Sequence, residues 1–112
     1  MDSLARGDIV VVALQGDFGK PRPALVVQSD LFNPTHGSVS IIPVTTTLID
    51  APLFRLTVDP TPANGLRSLS QLMIDKVTTV PRDRIARLVG TLEDEKMLRV
   101  TRALALWLGI AA

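Results

Sequence analysis

Short apolar runs, many of them β-branched, recur along most of the chain, and glycine and proline punctuate them. Asp8–Leu14 (DIVVVAL) is a β-branched run too short for a helix and reads as a buried strand. Gln15–Pro23 holds two glycines and two prolines in nine residues and reads as a loop or hairpin connection. Ala24–Ser29 is a second predicted strand, Asp30–Gly37 a turn broken at Asn33-Pro34, and Ser38–Pro43 a third strand, from which Val44–Asp50 leads away. Leu53–Val58 alternates apolar and polar, as a half-buried edge strand does. Asp59–Gly65 is dense in turn residues, Ser70–Lys76 predicts another strand, and Thr78–Arg84 leads through Pro81 into a short turn.

The end of the chain changes period. Thr91–Asp94 (TLED) resembles a capping box, with Asp in place of the usual Glu or Gln. Beyond it, Leu98, Thr101, Ala105 and Leu108 fall on one stripe, with Met97, Val100, Leu104 and Trp107 beside it. The spacing predicts one amphipathic helix of about four turns, stopped near Gly109. Nothing alternates as βαβ. The expected architecture is mainly β (α+β): five or six short strands in a small, strongly bent sheet or partly open barrel, with a C-terminal α-helix packed on it.

Composition narrows the function classes. The 112 residues suit one domain, taken here as 1–112. There is no Cys, which excludes a disulfide scaffold, a zinc ribbon and a thiol nucleophile. The one histidine, His36, excludes a two-histidine acid/base pair within the chain and sits in a Pro/Gly turn, where it reads as a solvated loop residue. Three Phe, one Trp and no Tyr are few rings for a stacking platform. No apolar run approaches the roughly 18 residues of a membrane helix, and the first eight residues lack a signal core, so a cytoplasmic protein is expected. A net charge of +1 is not the footprint of bulk duplex binding. The twelve basic residues are nine Arg and three Lys, a bias toward the planar fork that suits phosphates, although a GC-rich genome produces the same bias.

Two segments carry candidate chemistry. In Lys20-Pro21-Arg22-Pro23, prolines flank an arginine directly before a strand and stiffen the backbone that holds it. A guanidinium held there can meet a phosphate with little reorganisation, or can be an ordinary surface arginine in a Pro-rich turn. Pro43-Val44-Thr45-Thr46-Thr47 places hydroxyls at a strand end, where they can bond a phosphate or merely suit a β-rich segment.

The Arg6-Gly7-Asp8 opening before a strand, the loop into Arg22-Pro-Ala-Leu-Val-Val and the Pro43-Val-Thr-Thr strand end together resemble the MazF/PemK/Kid toxins, over nearly the whole chain. The resemblance implies an SH3-like barrel of the CcdB/MazF type, normally a homodimer. It also implies a ribosome-independent endoribonuclease of a toxin–antitoxin pair that cuts single-stranded RNA without metal or cofactor. It places the catalytic pair on Arg22 and Thr45. The RNA 2′-hydroxyl would attack the adjacent phosphorus, with Arg22 stabilising the developing charge and Thr45 hydrogen-bonding the phosphate. Arginine rarely gives up its proton, so its expected role is electrostatic.

The chain departs from the family pattern in places. The first loop is short, with Asp17 and Lys20 as candidate RNA contacts. Some relatives carry an acid beside a Gln in what reads as the penultimate strand; here Ser70 stands in its place, next to Gln71. Asp75 and Lys76 follow, either as a substitute for that acid or as a salt-bridged pair at a strand end. Ser70, Gln71, Thr46 and Arg67 are candidates to line the RNA path. The implied partner is an antitoxin with an acidic or amphipathic tail. One alternative arises at the C-terminus, where Trp107-Leu108-Gly109-Ile110 resembles the Trp-Gly-Ile ending of CcdB, a gyrase-binding toxin without RNase activity, interrupted here by Leu108.

Overall fold

A computed structural model describes residues 3–13 and 20–111, so the end of the first predicted strand at Leu14, most of the first loop and Asp17 lie outside the described residues. The described strands are β1 (Asp8–Ala13), β2 (Pro21–Val26), β3 (Ser38–Thr45), β4 (Arg55–Val58), β5 (Ser70–Met73), β6 (Thr78–Pro81) and β7 (Ile85–Thr91), followed by helix α1 (Asp94–Trp107). All pairings are antiparallel, in the order β4-β5-β3-β2-β1-β7, with β6 also on β3.

β3 explains the bend. Along one edge its first half, Ser38–Ile41, pairs with β6, and its last two residues, Val44–Thr45, pair with β5. Pro43, which has no N–H to donate, falls in the gap between those two partners. The strand therefore changes partners where a proline is tolerated, and the sheet folds around two cores. Ile9, Leu25, Ile42, Leu72 and Ile74 pack with Met97, Val100 and Ala103 of α1 in one core, while Val10, Val12, Ala24, Val26, Val39, Ile41 and Val80 form the other. Burial on both faces is why Ile9–Val12, Ala24–Val26 and Ile41–Val44 read as apolar runs. The sheet is strongly bent but not closed, as the pattern of short strands predicts.

Several boundaries differ from expectation. β2 starts at Pro21 rather than Ala24, because proline's fixed φ suits an extended, exposed strand start. The fifth strand stops at Met73, and Ile74–Lys76 is a 3-10 turn. β7 was not expected at all. None of its residues is fully buried, so it carries no strong apolar pattern. With β6 and β7 beyond it, the Ser70–Met73 strand is third from last, not penultimate.

The helix start is corrected as well. Thr91 ends β7 and donates its N–H to the Ala63 carbonyl (2.9 Å), so it is not the cap. Glu93 occupies that position without a side-chain cap bond. The face on the core is Met97, Val100 and Ala103, whereas Leu98, Thr101 and Leu108 of the expected stripe are exposed. Gly109, at φ 73°, ends the helix as expected.

Arg6-Gly7-Asp8 acts as a clasp. Arg6 donates its N–H to Asp30 Oδ1 (2.7 Å), Nε to the Val27 carbonyl (3.0 Å) and Nη2 to Thr101 Oγ1 on α1 (2.9 Å). Gly7 supplies the left-handed φ of 100°, and Asp8 Oδ2 accepts the Ala5 N–H. The Arg6 N–H and the Asn33 amide hold the Asp30 carboxyl below the ordinary carboxylate range.

Candidate active site

The start of β2 and the end of β3 lie side by side. Their ladder runs Val26↔Ile41, Leu25↔Ile42 and Ala24↔Pro43. The ladder stops at Ala24 and Pro43, two places short of Arg22 on β2 and of Thr45 on β3. Pro23 has no N–H for the ladder, so the strands are free to part where these two residues sit. Arg22 is exposed and Thr45 half-buried. Thr45 Oγ1 accepts the Thr47 N–H (3.0 Å), a local turn that takes the chain off β3. That bond uses a lone pair and leaves the hydroxyl proton available to a phosphate oxygen.

Beside them opens a cleft of about 330 Å³, whose described lining includes Arg22, Thr46, Arg67, Ser68, Ser70 and Arg87. Its lining contains three arginines and no Asp or Glu among the described residues. Thr46, expected as an RNA contact, is exposed there, as is Arg67. Ser70 lines the cleft too, but it is buried and its hydroxyl donates to the Ser68 carbonyl (2.8 Å), shaping the loop. Lys20 is exposed just before β2 and is not among the lining residues.

Two expected residues make their contacts away from the cleft. Gln71 is buried, its Nε2 donating to the Ile49 carbonyl (2.9 Å) and Thr57 Oγ1 (3.3 Å) while its Oε1 accepts the Ile49 N–H (3.1 Å). It pins the segment leaving β3 and does not face the cleft. Asp75 is not paired with Lys76. It accepts Nε and Nη2 of Arg55 at 2.8 and 3.2 Å, in an ion pair whose side chains are only 10% and 17% exposed. The Arg55 hydrogen bonds hold its carboxyl below the ordinary range and push the guanidinium up. Lys76 is exposed, and neither it nor Asp75 lines the cleft. His36 is exposed, and its carbonyl accepts Arg82 Nε (3.1 Å).

The opposite wall was missed in the sequence. The loop between β4 and β5 presses on β7: a Cβ on Gly65 would lie 2.3 Å from the Val89 carbonyl oxygen, and one on Gly90 would lie 2.4 Å from Asn64 backbone atoms. Buried Asn64 accepts the Thr61 and Leu66 N–H groups and donates to the Asp59 carbonyl, fixing that loop. Arg87 joins the cleft through β7. A signal for it existed: β1, whose Ile9, Val10 and Val12 are buried, needs a strand on each side, and Val89-Gly90-Thr91 was the available segment. Among the described residues, no three His, Cys, Asp or Glu side chains gather where they could hold a metal ion.

Residues 5–108 match the family described as PemK-like, MazF-like toxin of type II toxin–antitoxin system. The chain belongs to this family. A protein of Mycolicibacterium smegmatis described as a probable endoribonuclease MazF is 51% identical over 109 residues, covering 96% of this chain and 99% of that one. Among solved structures, an endoribonuclease in complex with its cognate antitoxin, from a mycobacterial species, superposes with a TM-score of 0.81 at 23% identity, covering 98% of this chain and 99% of that one. The Mycobacterium tuberculosis toxin MazF-mt6 gives 0.80 at 24% identity, covering 94% and 99%. These two show a shared MazF fold. The CcdB-like alternative is not supported by these likenesses. In the structure the tail after α1 folds back, with the Ile110 N–H donating to the Ala105 carbonyl (2.8 Å). No described helix is long and apolar enough to cross a membrane.

Proposed function

We propose that this MazF-like endoribonuclease, with the whole chain as one toxin domain, cuts single-stranded RNA at the cleft beside β2 and β3, without metal. The observation that supports the reading is an arginine-lined cleft with Arg22 and Thr46 in its lining, next to Thr45 at the end of β3, and with no Asp or Glu among its described lining residues. The 2′-hydroxyl attacks the adjacent phosphorus and the 5′-oxygen leaves, giving a 2′,3′-cyclic phosphate and a free 5′-hydroxyl. Charge grows on the phosphoryl oxygens as the new P–O bond forms. Arg22 answers it with a charged, planar donor set, and Thr45, with Thr46 beside it, adds hydroxyl donors. The partners under this reading are a second copy of the chain and an antitoxin with an acidic or amphipathic tail, in the cytoplasm. A neighbouring small reading frame whose product binds the chain and relieves its toxicity tests the antitoxin; a product that does neither argues against it.

The catalytic assignment is tested on single-stranded RNA in excess EDTA. Cleavage should persist, and Arg22→Ala should lower kcat on the order of 100- to 1,000-fold with the circular dichroism spectrum unchanged. Arg22→Lys should also lose most activity, because an ammonium cannot present two parallel donors. Cleavage that returns only with Mg²⁺, or a fully active Arg22→Ala protein, would overturn the assignment.

A further inference from the structure

The cleft has a second cationic wall that the Arg22–Thr45 chemistry does not use. We infer that Arg67 and Arg87 together bind the backbone phosphate next to the scissile one and so set where the RNA strand lies against Arg22. The inference rests on the endoribonuclease reading above.

Both side chains are exposed in the cleft that holds Arg22, and neither makes a hydrogen bond or ion pair with another described residue. Most other arginines are engaged: Arg6, Arg82 and Arg84 bond backbone carbonyls, Arg55 holds Asp75, and Arg99 pairs with Glu95, whereas Arg102 lies exposed on α1 and outside the cleft lining. Two guanidiniums sharing one cleft, with no Asp or Glu among the described lining residues, repel each other, and an anion between them relieves the repulsion. Their placement is also built rather than incidental. Arg67 sits on the loop that Gly65 and Gly90 lock against β7. The β1–β7 ladder shifts register between Ile9 and Val10 and again between Val11 and Val12, and Arg87 lies between those two irregularities, opposite Val11 of the cleft lining. Such irregularities re-aim side chains.

The chemistry favours a phosphodiester. A guanidinium fork matches phosphate oxygens and is weakly hydrated, so two exposed forks hold a diester at small desolvation cost. Arg22 and Thr46 belong to the β2–β3 wall, and Arg67 and Arg87 to the loop–β7 wall. A strand running through the cleft meets the two walls with successive phosphates.

The test uses the full chain, a short single-stranded RNA with one cleavage site, and its uncleavable 2′-O-methyl analogue. Analogue binding is followed by fluorescence anisotropy from 50 to 200 mM salt. The slope of log affinity against log salt should fall by about 0.7 in the double variant Arg67→Ala/Arg87→Ala and by less in either single variant, because the two arginines share one phosphate. Arg87→Lys should keep the wild-type slope, because an ammonium still neutralises a phosphate as a point charge. Arg99→Ala, on the exposed face of α1, serves as the control with an unchanged slope. With the cleavable RNA the change should fall on KM rather than kcat. A double variant with wild-type slope and KM overturns the assignment, as does a loss confined to kcat. So does a loss seen only with an acidic peptide such as polyglutamate, which would assign these arginines to an antitoxin tail. A wild-type chain that cuts no RNA overturns the endoribonuclease reading itself and this inference with it.

Discussion

Asp75 shows what one side chain's surroundings decide. Its spacing after Ser70 invited a catalytic reading, but the strand gives way to a 3-10 turn at Ile74, and the carboxylate meets Arg55 of β4 instead. Both partners are mostly buried, so the pair is held by short charged hydrogen bonds rather than screened by solvent. Asp75→Asn should therefore cost about 2 kcal/mol of stability at neutral pH. The folded pKa lies below the unfolded value, so this contribution is complete above the ordinary carboxylate pKa and disappears as pH falls through the depressed one. Urea titrations of wild type and Asp75→Asn should differ at pH 7, and the difference should shrink as the pH falls below the ordinary carboxylate range. A constant difference across that range would mean that the aspartate acts through packing alone. Cleavage per folded molecule should survive the change.

At the scale of elements, the strands that carry Arg22 and Thr45 were legible and the far wall of the candidate cleft was not. Arg22 could be placed because two prolines and a buried strand bracket it, and the Thr45–Thr46 strand end because it closes an apolar run. Both signals are local. β7 gives no such signal: its side chains are exposed or half-buried, and it exists because β1 needs a second partner and because Gly90 has no side chain to hold Asn64 away. The helix shows a related limit. Met97, Val100 and Leu98 are all apolar, and only the sheet beneath decides which of them is covered. The close approach of Gly90 also gives a test. Gly90→Ala drives a methyl into Asn64 backbone, which is bonded on several sides and yields poorly, so a loss of about 3 kcal/mol is expected. Because Arg67 rides on the same loop, cleavage should fall further than the remaining folded fraction explains. An unchanged denaturation midpoint would show that the loop moves freely away from β7.

The molecule as a whole measures 34 × 30 × 28 Å, and among the described residues β4, β6 and β7 are each paired on one side only. Trp107 is 48% exposed and leans on Phe54, with ring centroids 5.6 Å apart, while Leu53, Leu108 and Ile110 are more exposed still. A single chain thus has open sheet edges and uncovered apolar side chains, and both favour association. Sedimentation at micromolar concentration should give about twice the 12.1 kDa chain mass, and a monomer there would contradict the homodimer. The β1–β7 pairing has a consequence for how the protein is made. β1 belongs to the opening of the chain and β7 to its final quarter, and Arg6 reaches Thr101 in the same way. A growing polypeptide that has not yet reached residue 85 has β1 with one bare side and a cleft with one wall. A chain synthesised only up to that point thus lacks the far wall of the candidate cleft, and Arg87 with it, however completely β1 to β6 have already been made.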